Sequence, residues 1–158
     1  MNESALDTSL KKEVQALKIL LYSMMAGIII FSLTSLIAKR YIEPIYLDKQ
    51  KASNLFVIFL FTILTALAVL RYYFSKKVKV VAASYSTDKE KFEKYKKALL
   101  IFFAGLEIVA MLGIMGFLLQ GHYNFLIIPL AVLVEMFIKI PTESKMNSYI
   151  FNTSHLNP

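Results

Sequence analysis

Residues 98–119 read "ALLIFFAGLEIVAMLGIMGFLL", an apolar run broken by one charge, Glu107. At ~1.5 Å of rise per residue a helix of this length reaches ~33 Å, enough to cross the ~30 Å hydrocarbon core of a bilayer. Three further runs approach the same length: residues 19–38, 55–74 and 123–140. Two of them, "MMAGIIIFSLTSLIA" and "LFVIFLFTILTALAVL", are apolar around their whole circumference. A water-soluble bundle would instead show a polar face on each helix. With 57% hydrophobic and 18% charged residues and a mean hydropathy of +0.57, the 158-residue chain is too apolar for a soluble domain. The expected architecture is an all-α integral membrane four-helix bundle in one domain, with helices at about 9–38, 55–74, 87–119 and 123–140 and short tails.

The first run follows Lys11, Lys12 and Lys18 as a signal peptide's apolar run would. It is longer than such a run, however, and Leu36 stands where a small residue is expected before a cleavage at Ala38, so it reads as a retained helix. Cysteine is absent, which excludes thiol catalysis, disulfides, thiolate metal sites and palmitoylation.

The net charge of +7 is distributed unevenly. If four helices cross, one side receives 3 basic residues before the first helix, 9 between Arg71 and Lys97 and 2 from Lys139 onward, a sum of 14. The other side receives Lys39, Arg40, Lys49 and Lys51, a sum of 4. Basic residues collect in cytoplasmic loops, so both termini are expected in the cytoplasm of a cell whose plasma or inner membrane holds the chain. The run "KEKFEKYKK" is then an orientation signal and a contact for anionic lipid, with no nucleic-acid partner.

A shift of 78 residues lays Ser9 on Thr87, Lys11 on Lys89, Lys18 on Lys96, Leu21 on Leu99 and Ala26-Gly27 on Ala104-Gly105. A shift of 70 lays Asn54 on Asn124, Ile58 on Ile128 and Leu60 on Leu130. The chain therefore reads as two tandem helical hairpins of parallel orientation, with Ser9 and Thr87 as N-caps and Glu90 completing a capping box on Thr87. "QGHYN" is a tight turn, the loop around Pro44 lies at the outer interface, and Pro141 ends the fourth helix.

Glu107 lies 12 residues from Leu119, and Glu135 lies 12 residues from Tyr123 on the next helix, so both are expected ~18 Å from the turn. A carboxylate at that depth costs ~3 kcal/mol or more unless it is protonated, paired or hydrated. Ala104 and Ala110 flank Glu107 at i−3 and i+3, which predicts that it points into the bundle beside a close neighbour. Lys139 is one turn beyond Glu135 and is its expected partner. Glu107 has none on its own helix; its candidates are Glu135, Thr62, Thr65, Ser32, Thr34, Ser35 and Arg71.

Three readings follow for this polar site: packing between helices, a proton or cation pathway, and an anchor for a lipid or other small ligand. His122 falls in the outer turn and His155 in the tail, so no paired histidines suit haem or a di-metal centre. No Ser-His-Asp set, phosphate loop or metal spacing is present, and neither cofactor nor metal is expected. The expectation is a non-enzymatic subunit of a membrane complex, whose partners are the lipid bilayer and another membrane protein or further copies of itself. The alternative is a small proton- or cation-coupled transporter or channel that works as a homo-oligomer through Glu107 and Glu135.

Overall fold

The computed structural model describes residues 3–42, 49–84 and 86–142. They form helices α1 (Glu3–Ala38), α2 (Lys49–Ala82), α3 (Asp88–Gln120) and α4 (Ile127–Lys139), with a 3₁₀ turn, Tyr123–Leu126, ahead of α4. Among the described residues there is no strand. The Pro44 loop and the tail with Asn152 and His155 lie outside the described residues.

α3 is the axis of the bundle. It presents buried side chains from Phe92 to Phe117, and α1, α2 and α4 all pack on it. α1 contributes one narrow stripe, Val14, Leu17, Leu21 and Ile28, at the i, i+3, i+7 spacing of a single helix face. Much of the rest of α1 and the outer side of α2 are apolar and uncovered: Ile19 is 70% exposed and Phe61 73%. Such an exterior suits lipid rather than water. α1, α2 and α3 each carry a stretch long and apolar enough to cross a membrane, Lys11–Ala38, Phe56–Ala82 and Lys89–Gln120. The chain is a helical membrane protein.

The fourth segment differs from the single helix expected over 123–140. Pro129 has no N–H to donate to Phe125, and its ring crowds that carbonyl, so Tyr123–Leu126 closes as a 3₁₀ turn and regular helix begins at Ile127. The 13 α-helical residues rise ~20 Å and the turn about 8 Å more, close to the ~30 Å of a hydrocarbon core. Ile140, held extended ahead of Pro141 at ψ 128°, ends it.

Two glycines let α4 lie against α3. A Cβ on Gly113 would stand 2.8 Å from the Ile128 Cβ, and one on Gly116 would stand 2.5 Å from the Phe125 ring. Gly121 ends α3 in the left-handed region (φ 71°), where its N–H donates to the Phe117 carbonyl at 2.7 Å. The "QGHYN" turn is thus as expected.

The first pair of helices is not built like the second. α1 and α2 share no extended interface and meet through α3. Gly27 has nothing within 4 Å of a Cβ, whereas one on Gly105 would meet Leu70 at 2.5 Å, so the aligned glycines occupy unlike contacts. The repeat expectation is met in helix number and not in packing. The caps differ too: α1 runs through Ser9 without a break, and Thr87 is the N-cap residue of α3 with no side-chain cap bond.

At the basic end the bundle continues past the apolar runs. α2 extends to Ala82, 8 residues beyond the expected end at 74. Phe74, Val78 and Val81 keep the i, i+4, i+7 stripe while Lys76, Lys77 and Lys79 face outward. The stripe joins Val14 and Leu17 of α1 and Phe92 and Tyr95 of α3 in one core. Aromatic contacts fasten it, Phe74 to Phe102 at 4.9 Å and Phe74 to Tyr95 at 6.3 Å between ring centroids.

Candidate functional site: an ion pair and a lone carboxylate

The close approaches set the register of the site. Gly113 opposes Ile128, and Gly116 opposes Phe125, so opposing residues of α3 and α4 sum to about 241 (113 + 128; 116 + 125). Glu135 then stands level with residue 106, beside Glu107 in depth, as the sequence predicts. Gly105 opposes Leu70, which brings Arg71 to the same level. That level is about 7 to 10 residues above Lys97, ~10 to 15 Å into the apolar run.

Of these groups, Arg71 and Glu135 meet. The guanidinium donates from Nε to Oε1 at 3.0 Å and from Nη2 to Oε2 at 2.5 Å, a two-point contact that joins α2 to α4. The Glu135 side chain is 12% exposed, and that of Arg71 61%. A largely exposed arginine therefore meets a largely covered carboxylate. Arg71 takes the place expected of Lys139, whose Nζ lies 5.9 Å from the centre of the Phe74 ring.

Glu107 stands apart from the pair. It has no hydrogen bond or ion pair among the described residues. On α3 its neighbours at i−4 and i+3, Phe103 and Ala110, are buried, whereas Ala104 at i−3 is exposed and Met111 at i+4 half-buried. The side chain stands on the margin of the packed face, not in the interior the flanking alanines predicted. The reason is that α3's covered face turns through Phe103, Ala110 and Phe117 and stops short of the Ala104 edge.

The hydroxyls offered as partners are occupied locally. Thr62 and Thr65 donate to the Ile58 and Phe61 carbonyls on the exposed side of α2, each at 2.9 Å. Ser32 and Thr34 donate to the carbonyls four residues back and Ser35 to that of Ser32. No polar path connects Glu107 to Glu135 through these groups. Among the described residues no three His, Asp or Glu side chains gather as metal ligands would.

At the turn end Lys39, which sequence reasoning read only as a loop charge, ties α1 to the α3–α4 turn. Its Nζ donates to the Gly121 carbonyl at 2.6 Å and lies 3.9 Å from the Tyr123 ring centroid and 5.2 Å from that of Phe117. The signal was present as a lysine just past an apolar run, level with two aromatics of a neighbouring turn.

From Lys97 to the end of α3 the uncovered residues are Lys97, Ile101, Ala104, Ile108, Leu112, Met115 and Leu119, spaced by three and four. They form one continuous apolar stripe above Lys97, with the Glu107 carboxylate at its edge. Comparison with protein-family models, with curated proteins and with solved structures returns no match to this chain, so its function is argued from this geometry.

Proposed function

We propose that the chain is a non-catalytic subunit or interaction partner of a membrane complex, and that it docks through the uncovered stripe of α3. The supporting observation is Glu107: a carboxylate ~15 Å above Lys97, without a partner among the described residues, beside an apolar strip. A group so placed costs ~3 kcal/mol in lipid and gains most from a donor brought by another helix. Ala104, exposed one turn away, leaves room for a second backbone to come close. The partner's chemistry follows: a membrane helix with a hydroxyl, amide or basic side chain at mid-depth. The 14 to 4 charge split supports a four-crossing topology with both termini in the cytoplasm of a plasma or inner membrane.

One observation favours a second reading. Glu107 and Glu135 share a level, and copies of the chain paired through the α3 stripe would bring two Glu107 carboxyls together, as a proton- or cation-coupled homo-oligomer requires. Engagement of Glu135 by Arg71 weighs against it.

The test is recovery from native membranes in mild detergent. A different membrane protein in fixed stoichiometry is expected with wild type and with Glu107→Gln, which keeps a donor and an acceptor. Loss of that partner is expected with Glu107→Leu. Full partner recovery with Glu107→Leu refutes the docking role. A self-oligomer that loses proton flux in liposomes on Glu107→Gln would establish the second reading instead.

A further inference from the structure

Just below the stripe, α3 forms a shallow open concavity of about 430 Å³ lined by Glu93, Lys94, Lys96, Lys97, Leu100 and Ile101. Its lining combines two chemistries. Three lysines and one glutamate line it, a formal balance of +2 (3 − 1), together with Leu100 and Ile101, which belong to the apolar run that begins beyond Lys97.

The charges are partly committed. Lys96 pairs with Glu93 at 3.4 Å, and Lys94 donates to the Ser86 hydroxyl at 2.8 Å. Lys97 has no hydrogen bond or ion pair among the described residues and stands where the apolar run begins. Pairing of Lys96 with Glu93 leaves Lys94 and Lys97 to supply the attraction, and both remain exposed to solvent. A flat basic loop would attract an anionic surface diffusely. Here the lysines line the same hollow as Leu100 and Ile101, where the basic segment of α3 passes into its apolar run.

We infer that this concavity is a binding site for one anionic phospholipid, with the phosphodiester on Lys94 and Lys97 and an acyl chain over Leu100 and Ile101. The inference shares Ile101 with the docking stripe proposed above but does not rest on that role, since it is read from lipid retained by the chain alone. Charge complementarity selects the headgroup. The apolar residues select a lipid over free phosphate, which would use the lysines and leave Leu100 and Ile101 wet.

The full chain, purified in detergent and exchanged into mixed micelles of phosphatidylglycerol and phosphatidylcholine, can be examined by native mass spectrometry for retained lipid. Retention of one phosphatidylglycerol in preference to phosphatidylcholine is expected, and 100-fold molar inorganic phosphate should not displace it. Lys94→Gln and Lys97→Gln should each weaken retention about five-fold, the factor that corresponds to one lysine near an anionic surface. Lys76→Gln with Lys77→Gln, equally basic positions on α2 outside the concavity, should leave it unchanged. Circular dichroism and gel filtration confirm that each variant is folded. Equal retention of the two lipids, displacement by phosphate, or equal weakening by the α2 control pair would overturn the site.

Discussion

The contact between Arg71 and Glu135 is the sharpest energetic statement the bundle makes, and it can be tested by deleting one side at a time. The Glu135 side chain is 12% exposed with Arg71 in place, and Arg71→Leu leaves its carboxylate without the two charge-assisted bonds. Insertion scales put a lone carboxylate at the helix centre at ~3 kcal/mol, and Glu135, level with residue 106, stands ~13 Å above Lys97, close to the centre. A loss of about 2 to 3 kcal/mol is therefore expected for Arg71→Leu. Glu135→Leu should cost less, about 1 kcal/mol or under, because the Arg71 side chain is already 61% exposed and can turn to the headgroup region. The double change, Arg71→Leu with Glu135→Leu, should recover most of the first loss, because an apolar pair replaces a partly desolvated ionic one. Urea titration in a fixed detergent, followed by far-ultraviolet circular dichroism, gives the three values and hence a coupling energy of opposite sign to the single losses. Lys139→Leu is the control: its Nζ sits over the Phe74 ring and not on the carboxylate, so it should cost well under 1 kcal/mol. If Lys139→Leu proves the more damaging, or if the double variant is no more stable than Arg71→Leu, the assignment of Arg71 as the partner is wrong.

Gly116→Ala places a Cβ 2.5 Å from the Phe125 ring, which itself packs edge-on against Phe56 and Phe59 at 5.0 and 5.7 Å. A loss of ~1 to 3 kcal/mol is expected from this overpacking, against no measurable loss for Gly27→Ala, where nothing lies within 4 Å; equal stability of the two variants in detergent would contradict the close α3–α4 approach. For topology, single cysteines in this cysteine-free chain at Thr87 and at Asn124 should respectively resist and react with an impermeant thiol reagent in intact cells. Reaction at Thr87 would reverse the orientation drawn from the charge split.

The fold was legible where hydrophobicity alone speaks. Long apolar runs locate α1, α2 and α3, because a bilayer accepts little else of that length. The boundaries that went astray did so for identifiable reasons. Residues 75–82 of α2 look like a polar loop when lysines are counted, yet Val78 and Val81 continue the stripe of Phe74, and three lysines fit on the outer side of the same helix. The start of α4 depends on Pro129, whose effect is exerted four residues earlier, at Phe125, where no local composition marks it. The hairpin repeat failed as a guide to packing because matching residues share depth along the membrane without sharing a neighbour. α1 and α3 pack on each other, and a partner of one cannot be the equivalent partner of the other.

The polar site divides along the same line. Depth follows from counting residues along a helix, and the level shared by Glu107 and Glu135 was readable from the turn, whereas that of Arg71 came from the Gly105–Leu70 contact. Azimuth follows from how neighbouring helices share a surface, and that is decided by packing. Lys139 is near Glu135 in sequence, but the i,i+4 ladder offers a lysine no advantage over an arginine from the next helix that can make two parallel bonds. Once Arg71 is committed there, Glu107 has no cation left at its level among the described residues, and its position at the edge of the covered face becomes informative. An interior glutamate without a partner would be a packing defect that any apolar residue would remove. On the margin, beside Ala104 and an uncovered strip that runs from Ile101 to Leu119, the same carboxylate is open to a second membrane helix, and in the docking role we propose the energy lost by leaving it in lipid becomes energy gained.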